Sequence, residues 1–142
     1  MKILVVNGPN LGLLGRREPE LYGRETLADV EARMKKKFPK ASFTFVQSNH
    51  EGAIVDELNK VLGGSCDGVI INPGAYAHSS YAIRDAIAAV NVPVVEVHIT
   101  NVHAREEFRR KSVIAPVCTG VVAGLGTAVY DLAAQFLLER TA

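Results

Sequence analysis

Short apolar runs alternate along the chain with longer segments whose apolar residues recur every three to four positions. The runs cover residues 2–6, 42–47, 68–71, 92–97 and, more weakly, 116–122. Runs this short, rich in Val and Ile, read as buried strands. Helical candidates lie between them at residues 26–38, 51–62, 81–90 and 126–139. Thr26 with Asp29 is a capping signal, and Pro39 is a stop. Ser48-Asn49-His50-Glu51 reads as a second capping box, with Gly63-Gly64 as terminator.

Strands that alternate with helices give βαβ units and a parallel sheet. The expected fold class is therefore α/β: a flavodoxin-like, doubly wound, five-stranded parallel sheet in three α/β/α layers. No repeat, linker or low-complexity stretch divides the sequence, so residues 1–142 are expected to form a single domain. One connection does not fit the alternation. Residues 7–24 separate the first strand from the first helix and carry no clear periodicity. A loop that long in a compact domain is usually functional, and residues 15–24 are expected to act as a mobile lid.

Bulk numbers narrow the class. A chain of 142 residues with 48% hydrophobic content can build one real core. Sixteen basic against fifteen acidic residues leave no basic face for nucleic acid. The lysine run Lys35-Lys36-Lys37 closes a helix, where it complements the helix dipole. No apolar stretch approaches the ~20 residues that span a bilayer, so no membrane association is expected. The sequence starts directly on a strand, so no signal peptide is expected and a cytoplasmic location follows. Cys66 and Cys118 lack metal-ligand spacing and read as small hydrophobes.

Polar chemistry collects where the strands end. Asn7-Gly8-Pro9-Asn10 follows the first, Gln47-Ser48-Asn49 the second, and Asn72 through Ser80, including His78, the third. Glu96, His98, Thr100, Asn101, His103, Arg105 and Arg109 follow from the fourth. In a parallel sheet these ends share one edge, where open α/β sheets bind ligands. Arg17 and Tyr22 lie in the long loop. A tyrosine is a weak base at neutral pH, but a guanidinium beside it favours the phenolate. The two are equally at home as plain surface residues. Glu96 and His98 alternate on one strand and so face the same side, where the carboxylate can hold the imidazole proton. A purely structural ion pair fits the same spacing. Thr100 reads as the N-cap of a short turn whose amides can bind a carboxylate. His50 and His103 are weaker candidates. No Walker A loop, Gly-x-Gly-x-x-Gly fingerprint, nucleophile elbow or zincin spacing is present.

Several blocks in register then resemble one family. They are Asn7-Gly8-Pro9-Asn10-Leu11, Arg17-Glu18-Pro19 with Tyr22-Gly23, Gln47-Ser48-Asn49, Asn72-Pro73-Gly74-Ala75-Tyr76 with His78, Ala82-Ile83-Arg84-Asp85-Ala86, Glu96-Val97-His98, and His103 through Arg109. Together they resemble the type II 3-dehydroquinate dehydratases. The resemblance implies reversible loss of water from 3-dehydroquinate by anti elimination through an enolate, with no cofactor and no metal. It implies Tyr22 as base, Arg17 as its activator, His98 as acid held by Glu96, and Asn10 placing a water at the enolate oxygen. It also implies that Asn72, His78 and Arg109 hold substrate hydroxyls, and that the Ile99 and Thr100 amides take the carboxylate. Asp85 would reach the site of a neighbouring subunit in a homododecamer, a tetramer of trimers. Ala77 and Tyr81 depart from the family pattern without touching a catalytic position. The fold alone also fits a non-catalytic flavodoxin-like binding module, which leaves the polar edge unexplained.

Overall fold

The computed structural model describes residues 1–140. Its strands are β1 (Lys2–Asn7), β2 (Ser42–Gln47), β3 (Gly68–Asn72), β4 (Val94–His98) and β5 (Gly120–Ala123). They form one sheet in the order β2-β1-β3-β4-β5, and every neighbouring pair is parallel. The helices are α1 (Pro19–Tyr22), α2 (Leu27–Lys37), α3 (Glu51–Val61), α4 (Tyr81–Ala89) and α5 (Ala128–Arg140). This is the five-stranded α/β/α sandwich that the alternation of patterns predicts.

Strand alternation sorts the core into two layers. Ile3, Val5, Ile70, Val95 and Val97 pack with Val30 and Met34 of α2 and Val129, Ala133 and Leu137 of α5. Leu4, Val6, Val69, Ile71 and Val94 point the other way, onto Ile54 and Leu58 of α3 and Ile83 and Ile87 of α4. A strand buried on both faces has no polar side to show, which is why the runs read as continuous.

Local chemistry sets the ends. The Thr26 hydroxyl accepts from the Asp29 amide while the Asp29 carboxylate accepts from the Thr26 amide, so the box at α2 forms as expected. The box expected at residues 48–51 does not. His50 is the N-cap of α3, and Ser48 Oγ accepts from the His50 amide in a tight turn. Glu51 instead accepts the Ser80 hydroxyl at 2.5 Å, tying α3 to the start of α4. β4 begins at Val94, two residues later than its apolar run, because Pro93 has no amide for the ladder. β5 shrinks to four residues because Pro116 starts a 3-10 turn over Ala115–Val117.

β2 is laid down on one side of β1 and β3, β4 and β5 on the other, so the winding of the sheet reverses between β1 and β3, whose parallel register sets Asn7 against Asn72. The ends of these two strands, and of β4 beside them, open the crevice that a doubly wound sheet uses for ligands. Among the described residues no helix is long and apolar enough to cross a membrane.

Candidate active site

A crevice of about 190 Å³ lies over the carboxyl ends of β1, β3 and β4. Asn10, Arg17, Tyr22, Asn72, His78, His98, Ile99, Thr100, Arg105 and Arg109 line it. The loops after β1 and β3 meet at its floor. A Cβ on Gly8 would stand 2.4 Å from the Pro73 carbonyl, so only glycine allows that approach. Asn10 follows in the left-handed region at φ 67, and its amide donates to Asn49 Oδ1 at 3.0 Å.

One wall comes from the loop ahead of α2. Gly15, at φ 91, turns the chain so tightly that a Cβ there would be 2.8 Å from the Arg24 carbonyl. Both ends of the 15–24 segment are thereby brought together. The single turn of α1 presents Tyr22, half-buried, to the crevice. Arg17 sits with its guanidinium carbon 5.3 Å from the Tyr22 ring centre, and Arg105 at 5.4 Å. Arg105 Nη1 also donates to the Tyr22 hydroxyl at 2.9 Å and reaches Thr100 Oγ1 at 3.4 Å. Arg17 keeps a partner of its own in Glu18, at 3.3 Å.

The opposite wall carries the imidazoles. Glu96 and His98 share a strand face, and His98 Nε2 bonds Glu96 Oε2 at 2.8 Å in a buried setting. Glu96 Oε1 accepts the Ser112 hydroxyl at 2.8 Å, so both carboxylate oxygens are held. Since Nε2 is committed to Glu96, Nδ1 is the His98 nitrogen left for a ligand. The His78 ring stacks on His98 at 6.2 Å between centres. The Lys111 carbonyl only accepts, so His78 Nδ1 donates to it at 2.8 Å, and Nε2 is left as an acceptor. Arg109 is oriented by Glu106 at 2.5 Å and by the face of Phe108.

Beneath the floor lies a polar layer that is wholly buried. Tyr130 of α5 donates its hydroxyl to Asn7 Oδ1 at 2.7 Å and receives Asn72 Nδ2 at 3.0 Å. Burial pushes the Tyr130 hydroxyl above the usual tyrosine range, with the Asn72 bond opposing in part. Nothing in the residue pattern marks Tyr130, because it falls in the apolar stripe of a core helix. Arg105, which the sequence places after the fourth strand without a role, gains one here. Its neighbours Glu106 and Glu107 look like its natural partners, and the structure gives Glu106 chiefly to Arg109.

Ten of the eleven site residues expected from sequence and resemblance gather at this crevice or directly beneath it. The eleventh, Asp85, lies exposed on α4 and does not line the crevice. His50 and His103 are exposed and also lie outside it. The cap of the turn after β4 is Asn101, which accepts from the His103 amide, and not Thr100; the Thr100 hydroxyl accepts from Arg105 instead.

Comparison with known proteins adds an independent line. The model of the family described as Dehydroquinase class II matches residues 1–138. A 3-dehydroquinate dehydratase of Caldicellulosiruptor bescii is 54% identical over 140 residues, covering 97% of each chain. One from Halalkalibacterium halodurans is 56% identical over 140 residues, covering 96% of this chain and 95% of the other. The crystal structure of the type II dehydroquinase from Butyrivibrio crossotus superposes with a TM-score of 0.94 at 47% identity, over 97% of both chains. Agreement at this identity runs over nearly the whole chain, and the chain belongs to the class II dehydroquinase family.

Proposed function

We propose that this protein catalyses the reversible dehydration of 3-dehydroquinate to 3-dehydroshikimate, with its own side chains as acid and base. The observation that carries the reading is an arginine-flanked tyrosine on one wall of the crevice and a carboxylate-held histidine on the other. An elimination needs a base, an acid and an oxyanion stabiliser, and the crevice has a candidate for each.

In this reading the Tyr22 phenolate removes a proton from C2, and the electron pair moves onto the C3 oxygen as an enolate. Arg17 and Arg105 stabilise the charge that the phenolate carries. Asn10 places a water at the enolate oxygen. The enolate then expels the C1 hydroxyl, which takes a proton from His98 and leaves as water, forming the C1–C2 double bond. Glu96 keeps His98 oriented and balances its charge while it is protonated. Asn72, His78 and Arg109 hold the substrate hydroxyls, and the Ile99 and Thr100 amides with the Thr100 hydroxyl bind the carboxylate. No cofactor or metal takes part.

Residues 15–24 serve as the lid, since Tyr22 and Arg17 ride on a segment with glycines near both ends. The working particle is a cytoplasmic homododecamer built from trimers, with Asp85 completing a neighbour's site. The placement of Asp85 on an exposed helix face supports that part of the reading. The reaction serves the shikimate pathway to aromatic amino acids or the breakdown of quinate.

The direct test is to add 3-dehydroquinate to the purified protein in EDTA and follow the ultraviolet absorbance of the conjugated enone. A steady rise is expected. No rise from folded protein would reassign the crevice to a different polyol acid or to binding alone. Borohydride added with substrate should leave activity intact, because no imine forms; covalent inactivation would overturn the mechanism.

A further inference from the structure

Asn7 and Asn72 end two neighbouring parallel strands and stand opposite each other in register. Both side chains point to the α5 face and are all but sealed from solvent, at 0% and 3% exposure. Tyr130, also at 0%, comes up from α5 and bridges them. An amide buried there has two orientations that fill the same space but present opposite chemistry. The backbone decides between them. The Val46 carbonyl can only accept, so the group bonded to it at 3.3 Å is Asn7 Nδ2. Asn7 Oδ1 is then the end facing Tyr130, and the phenol must donate to it. With its proton spent, the phenol can only accept from Asn72, which turns Nδ2 inward. Asn72 Oδ1 is left on the crevice side, where the Gly74 amide, which can only donate, meets it at 3.3 Å. The Val46 carbonyl thus sets the direction of the relay through the shorter Tyr130 bonds, the long Gly74 contact agrees with it, and no buried polar side-chain atom among the described residues lacks a partner.

We propose that Tyr130 is a positioning residue that sets the Asn72 amide with its oxygen toward the ligand, so that this point accepts a hydrogen bond from a substrate hydroxyl. A substrate hydroxyl donates there; a carbonyl or ether oxygen in its place is refused. The proposal rests on the reading of Asn72 as a substrate contact and adds what that contact selects and what enforces it. Tyr130 touches no substrate. It acts through one amide, and its own high desolvation keeps its proton in place at every working pH.

Two substitutions break the relay, one at its centre and one at the end away from the crevice. Tyr130→Phe removes the hydroxyl and keeps the ring. Asn7→Ala keeps the Tyr130 ring and hydroxyl but removes the acceptor, freeing the phenol proton to turn toward Asn72 Oδ1. Each is expected to raise KM for 3-dehydroquinate about tenfold, the worth of one good hydrogen bond, with kcat within about twofold. In an Asn72→Ala background neither should add a further rise, because the amide they orient is gone. Folding is checked by circular dichroism and melting in every variant. Additive effects in the Asn72→Ala background, or a fall in kcat at unchanged KM, would overturn the proposal. If the wild-type protein does not turn over 3-dehydroquinate at all, the functional reading fails first, and this inference falls with it.

Discussion

Two cations flank one phenol in this crevice, and one of them is bonded to its oxygen. Arg105 donates to the Tyr22 hydroxyl, while Arg17 lies over the ring. In the proposed mechanism, the direct bond gives Arg105 as close a hold on the Tyr22 oxygen as any residue of the crevice. Arg105→Met is expected to lower kcat at least ~10²-fold at neutral pH, within the range for general base catalysis. A kcat near that of the wild type would contradict this. Cys118 offers a test of local burial. Desolvation, with the Glu96 charge adding to it, raises its thiol to about 12. The fold thus favours the neutral thiol, and that preference is complete below the unfolded thiol's ~8.5. It is lost as pH climbs from there toward about 12. At pH 8.5 Cys118 is expected to resist iodoacetamide until the protein unfolds; rapid labelling of native protein would contradict the burial. At this scale the sequence was readable where a polar residue interrupts an apolar run, as Asn72, Glu96 and His98 do. It was silent where partner choice decides the role. Arg105 sits beside two glutamates, and Tyr130 hides its hydroxyl in an apolar stripe.

At the scale of elements, the loop before α2 is tied to the helices that follow it. Just past the lid, Glu25 is gripped by Arg33 of α2 and by Thr127 at the start of α5. Arg33 also bonds Asp131, at 3.1 Å, and Lys37 bonds the same carboxylate at 3.1 Å. Burial alone would lower the Arg33 guanidinium, but Asp131 and Glu25 outweigh it and hold it above its usual value. If residues 15–24 move as the proposed lid, this shared cluster anchors the segment at its carboxyl end. Arg33→Met is expected to raise KM several-fold through a looser lid, with melting lowered only slightly, since partly exposed ion pairs are worth little. An unchanged KM would remove the anchor from the mechanism. Thr26→Ala, which breaks the capping box at α2, should cost about 1 kcal/mol in a denaturant titration. The α2 box was legible because Thr26 and Asp29 are the right residues at the right spacing. The α3 box was not, because Glu51 found Ser80, a residue 29 positions away, which local spacing cannot reveal. Helix and strand order followed from hydrophobic period, while Pro93 and Pro116 moved the ends of β4 and β5.

The whole molecule places its chemistry at one sheet edge because all five strands run the same way. That much follows from alternating patterns alone. The proposed assembly does not, because nothing in one chain's periodicity marks an exposed helix face as an interface. Tyr81 and Leu125 are 67% and 60% exposed, and Asp85 lies on the same helix as Tyr81. If Asp85 completes a neighbour's site, Asp85→Asn should raise KM while leaving the particle size seen by light scattering unchanged. A monomer of full activity would end that part of the reading. The central claim, that Tyr22 takes the C2 proton and His98 serves the separate departure of the hydroxyl, is tested most directly by NMR. Substrate in heavy water with the His98→Ala protein is expected to take up deuterium at C2 while forming almost no product. With Tyr22→Phe it is expected to do neither. Deuterium uptake that survives in Tyr22→Phe would mean that another group is the base.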